Sequence, residues 1–113
     1  MAHYQTTIAS PLSQQEAFAR LATVERFSEW DPGVTAGAQV EGDGPGLGAV
    51  YVLTAKGFVG TELPLRYETT AYDASNRFVI IADAKSLRSD DVITVVADGA
   101  GCRVTYAADL KMK

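Results

Sequence analysis

From His3 to Ala9 polar and apolar residues alternate. Tyr4, Thr6 and Ile8 fall on one side and His3, Gln5 and Thr7 on the other. A period of two marks a strand. The period changes in SPLSQQEAFARLA, residues 10–22, where Ala17, Phe18 and Leu21 form a stripe at helical spacing. Ser10 or Ser13 can cap this helix, and Glu16 follows Ser13 at the spacing of a capping box. A second short helix is predicted in TVERFSEW, with Thr23 as its cap. Its Val24, Phe27 and Trp30 share a face at three-residue steps. Pro32 ends it, because the residue before a proline avoids helical geometry.

Alternation then returns for the rest of the chain. Strands are predicted over Val34–Glu41, Ala49–Lys56, Leu63–Tyr72, Arg77–Ala84, Leu87–Ala97 and Cys102–Met112. In Leu63–Tyr72 the pattern sets Leu65, Tyr67, Thr69 and Ala71 against Arg66, Glu68 and Thr70. In the last strand Val104, Tyr106, Ala108 and Leu110 oppose Arg103, Thr105, Asp109 and Lys111. DASN (73–76) and DGAG (98–101) carry turn chemistry. Short links between successive strands imply antiparallel pairing. The pattern therefore predicts an α+β domain: one curved antiparallel sheet of about seven strands, with two short helices after the first.

Composition narrows the partners. The chain has 113 residues and a net charge of −4. No positive surplus is available to neutralise phosphates, which excludes nucleic acid as the main partner and simple docking on anionic membranes. The longest apolar run, Phe78–Ala82, is far short of the roughly 20 residues of a membrane span. The N-terminus lacks the basic start and apolar stretch of a signal peptide. A single cysteine, Cys102, allows no internal disulfide and no multi-cysteine metal site. The expected location is cytoplasmic.

The segments IASPLSQQEAFARLATVERFSEWDPGV (8–34), GLGAVY (46–51), YETTAYDASNRFV (67–79) and GAGCRVTYAADLKMK (99–113) together resemble the START-like superfamily. It is also called the SRPBCC or Bet v 1-like helix-grip fold, and the resemblance is to its bacterial polyketide cyclase/dehydrase and lipid-transport-like branch. That family fold ends in a long helix laid along the concave face of the sheet. The sequence stops at Lys113, before the roughly 20 residues such a helix needs at 1.5 Å each. The resemblance thus implies a single START-like domain over residues 1–113, C-terminally truncated. Its open sheet face would be covered by a partner subunit, making a homo-oligomer such as a dimer.

Most chemical motifs have a plainer structural reading. Gly44-Pro45-Gly46-Leu47-Gly48-Ala49 loosely fits a dinucleotide fingerprint, but a strand follows it where that motif needs a helix. It reads as a hairpin turn. Asp90 and Asp91 are neighbours on a strand and point to opposite faces, so they read as solvated positions, with one of them or Arg88 at a pocket rim. His3 reads as a surface histidine, and Cys102 as a structural thiol. No catalytic residue, metal ligand or cofactor site is expected.

The aromatic residues carry more. Inward residues of a half-barrel either pack a core or line a cavity, and a buried tyrosine hydroxyl seeks a partner. Tyr51, Tyr67, Thr69 and Tyr106 are the candidates to orient a ligand, and Trp30, which packs the helix pair onto the sheet, is a candidate to touch it. Leu53, Leu65, Phe78, Ile80 and Val104 would touch its apolar body. The expected function is binding or transport of a hydrophobic small molecule: a lipid, polyketide or aromatic metabolite. One alternative is a cyclase or aromatase with Arg66 or Arg88 and Tyr67 or Tyr106 as proton handlers. A second is an interaction module whose concave face receives a helix from a partner chain.

Overall fold

The computed structural model describes residues 2–56 and 62–113. Strand β1 (Ala2–Ser10) leads into helix α1 (Gln14–Ala22) and a 3-10 helix over Val24–Glu29. Six strands follow: β2 (Val34–Glu41), β3 (Val50–Lys56), β4 (Glu62–Asp73), β5 (Arg77–Asp83), β6 (Leu87–Asp98) and β7 (Gly101–Met112). They form one seven-stranded sheet in the order β1-β7-β6-β5-β4-β3-β2. All neighbours run antiparallel. This is the α+β architecture that the alternation predicts, and no long helix follows β7 among the described residues.

The helical segment forms for local reasons. Ser13 caps α1 by accepting the Glu16 backbone N–H at 3.1 Å, and its hydroxyl donates to the Glu16 carboxylate at 3.3 Å. The three-residue spacing of Val24, Phe27 and Trp30 suits 3-10 geometry better than α-helical geometry. Val24 and Phe27 are buried, while Trp30, at the C-cap, is 43% exposed. The chain then turns: the Asp31 N–H reaches the Phe27 carbonyl at 2.8 Å, and the Asp31 carboxylate accepts the Gly33 N–H at 2.8 Å.

One core joins the helices to the inner face of the sheet. Phe18 meets Phe78 and Tyr72 edge-on, at ring distances of 5.6 and 5.5 Å. Tyr51 and Leu53 on β3, Leu65 and Tyr67 on β4, and Phe78, Ile80 and Ala82 on β5 are buried with them. This settles the facing of β3 and β5, which their apolar runs leave open. The alternation of β4 fails at one point. The register shifts between Thr69 and Ala71, and such a bulge moves the following side chains to the other face. Tyr72, not Ala71, therefore packs on Phe18. Two more shifts bend β2, between Val34 and Ala36 and between Gln39 and Glu41.

The 3-10 helix lies so close to β2 that Gly37 has no room for a side chain. A Cβ there would stand 2.5 Å from the Glu25 carbonyl oxygen. Glycine is needed here for close approach of two backbones.

Candidate ligand-binding cleft

The helices do not cover the inner face evenly. Beyond α1 a cleft of about 1200 Å³ stays open, walled by α1, the 3-10 helix and the turn after it, and strands β1 and β7. Tyr4, Thr6 and Ile8 of β1 line it, with Val104, Tyr106 and Ala108 of β7 and Ile93 of β6. From the helical side come Leu21, Trp30 and Asp31. Tyr4 is 61% exposed and Ile8 59%. Trp30 stands edge-on to Tyr106 at 6.0 Å and lies against Phe27 at 4.6 Å. Its position follows from the three-residue step of its helix, which ends over the sheet instead of inside the core.

Behind this wall lies a polar group that the adjacent-acid reading of Asp90 and Asp91 misses. Leu87, Ser89, Asp91, Ile93 and Val95 are the buried members of β6. Asp91 is only 4% exposed, which overturns its expected solvation. One carboxylate oxygen accepts the Ser89 hydroxyl at 2.6 Å and the other the Tyr106 hydroxyl at 2.6 Å. Burial raises the Asp91 pKa above the usual carboxylate range. The two hydrogen bonds oppose the rise, and the charges of Asp31 and Asp90 add to it. Asp90 points outward and bonds Arg88 at 2.8 Å, as opposite faces require.

The tyrosines respond to the same environment. Burial pushes Tyr67 up to about 12, with Asp91 and Asp31 adding to the shift and Ser89 opposing it. Tyr106 is also raised, by burial first and then by the Asp91 charge and hydrogen bond. Tyr51 is pushed up to about 12 by burial, then by Glu25 and Tyr72. All three phenols hold their protons at neutral pH.

Of the residues read from sequence as ligand contacts, the structure brings Trp30, Val104 and Tyr106 to the cleft wall. Tyr51, Leu53, Leu65, Tyr67, Phe78 and Ile80 lie in the packed core, to which Val104 also belongs, and Thr69 is buried as well. Reading by sequence misses Tyr4, Ile8 and Asp31 as lining residues and Ser89 and Asp91 as the polar group behind them. The β6 alternation is the available signal for Asp91. Arg66 pairs with Glu41 and Arg88 with Asp90 and Asp83, all on the outer face of the sheet. Among the described residues no group of three or more His, Cys, Asp or Glu could hold a metal ion. No helix there is long and apolar enough to cross a membrane.

The fold recurs in solved structures of low sequence identity. A START superfamily protein from Mycobacterium smegmatis matches with a TM-score of 0.78 at 11% identity, covering 98% of this chain and 77% of that one. A protein from Thermus thermophilus matches with a TM-score of 0.82 at 14% identity, over 99% and 75% of the two chains. The di-domain ARO/CYC protein StfQ of the steffimycin biosynthetic pathway matches with a TM-score of 0.76 at 12% identity, over 98% of this chain and 37% of that one. No curated protein matches the sequence. The model of the family described as polyketide cyclase / dehydrase and lipid transport matches residues 1–113, and the chain belongs to that family.

Proposed function

We propose that this protein binds an apolar small molecule in the cleft between its helices and strands β1 and β7. One observation carries the reading. The cleft is a concave, mostly apolar space of about 1200 Å³, with aromatic side chains and a few polar groups on its walls. That is the usual make-up of a small-molecule site. Family membership supports the same class of ligand. Trp30 is the only tryptophan in the chain, so its emission reports the cleft directly. Titration with a neutral apolar dye such as Nile red should give saturable one-to-one binding and a shift in Trp30 emission. Protein that takes up neither the dye nor any apolar compound in native mass spectrometry would overturn the reading.

An enzymatic cyclase reading rests on the Asp91–Tyr106 pair, since a buried carboxylate bonded to a phenol can handle protons. It ranks second because Tyr67 and Tyr106 are raised in pKa, and Arg66 and Arg88 are held on the outer face.

A further inference from the structure

Two acceptors stand at the polar end of the cleft. Tyr106 gives its only hydroxyl proton to Asp91, so its oxygen can offer a ligand nothing but lone pairs. Beside it stands Asp31, whose carboxylate has one oxygen engaged by the Gly33 N–H. The remaining carboxylate oxygen is also an acceptor. Trp30 lines the same cleft, 6.0 Å from the Tyr106 ring, and is 43% exposed, so part of its aromatic surface is open to that space. Acceptors together with an aromatic face favour a cation and disfavour an anion.

The cationic side chains on the cleft do not reverse this balance. Arg26 is bonded to Glu29 at 2.5 Å. Arg20, on the last turn of α1, also lines the cleft, but the charged side chains that act on Tyr106 are Asp91 and Asp31, and Arg20 is not among them.

We infer that the ligand of this cleft is an amphipathic amine: an apolar body whose protonated nitrogen enters beside Trp30, between Asp31 and Tyr106. The inference rests on the proposal that the cleft binds an apolar molecule. It separates the ligand from fatty acids, whose carboxylate would meet the like charge of Asp31 at that end of the cleft.

Displacement of bound Nile red by dodecylamine, dodecanol and dodecanoate at pH 7 tests it. The amine should compete about tenfold better than the alcohol, as one charge-assisted contact implies, and the carboxylate should be weakest. Asp31→Asn keeps the carbonyl oxygen that accepts the Gly33 N–H, so the turn can persist. In that variant the amine-to-alcohol ratio should fall towards one. Dodecanoate binding as well as or better than the amine, especially if Arg20→Gln abolishes it, would overturn the inference and leave the binding proposal standing. So would an amine preference that survives Asp31→Asn. If the dye and all three compounds fail to bind, the binding proposal itself falls.

Discussion

The two halves of the inner sheet face are written in the same alternating code and end in opposite environments. On β5, Phe78 and Ile80 are 1% and 0% exposed. On β1, Tyr4 and Ile8 also point inward yet are 61% and 59% exposed. The difference lies in what covers them. The 3-10 helix settles on β2 and β3, with its backbone against Gly37, and α1 places Phe18 on Phe78. Neither element reaches over β1. Alternation therefore reports which way a side chain faces, and only tertiary packing reports whether anything meets it.

The largest expected effect breaks the comparison at its two ends. Phe78→Ala removes a ring from a packed, dry site and should cost about 3–5 kcal/mol. Tyr4→Ala removes a larger side chain from the open cleft and should cost under about 1 kcal/mol. Urea unfolding of both variants measures the difference. Equal costs would mean that the open half is covered in solution.

Next in size is Gly37→Ala, which tests the cover itself. The added methyl would press on the Glu25 carbonyl at 2.5 Å, and backbone cannot yield as a flexible side chain can. A loss of about 1–3 kcal/mol is expected, typical of overpacking. Because the 3-10 helix carries Phe27 and Trp30, the emission of Trp30 should change with it.

These cases also show what the sequence can reveal. The succession of strands along the chain, the short helices, the capping box of Ser13 and Glu16 and the hairpin turns rest on local rules, and the structure agrees with them. Three features escape for separable reasons. Tyr72 replaces Ala71 in the core because a bulge resets the alternation, and nothing in ETTAYD announces that extra residue. Asp91 reads as solvated because two adjacent acids suggest solvent, although the period-two pattern from Leu87 to Val95 already places it inward. The division of inward residues between core and cleft depends on where the helices lie over the sheet. That is a long-range outcome with no local signature, so Tyr51 and Tyr106 look equivalent in sequence.

A smaller effect separates the halves by pH. The folded-state pKa of Asp91 lies above its unfolded value. Its contribution is therefore most favourable at pH below the usual carboxylate range and is lost as pH rises through the folded value. Asp91→Asn keeps an oxygen to accept from Tyr106 and has an amide to meet Ser89, but it cannot ionise. The variant should unfold at a higher temperature than wild type at pH 7, and the gap should narrow towards pH 4. A wild type that is the more stable at pH 7 would show that the two hydrogen bonds to the charge outweigh its burial.

The smallest effect belongs to the open half, on the outer side of β1. His3 bonds Asp109 at 2.6 Å across the β1–β7 pair, and both side chains are more than half exposed. Its pKa is raised, first by the hydrogen bond to Asp109, then by that to Gln5 and by the charge of Asp109. This contribution is fully present below the ordinary histidine value and fades as pH rises through the raised one. Exposed pairs are weak and screened by salt. His3→Ala should thus lower the midpoint slightly at pH 5, have no effect at pH 9, and lose even the pH 5 effect in about 1 M salt. The Asp91 effect should survive the same salt, because ions do not screen desolvation of a group that water does not reach. A pH 7 gap between Asp91→Asn and wild type that collapses in salt would place Asp91 in contact with solvent, and the closed half would then reach no deeper than β5.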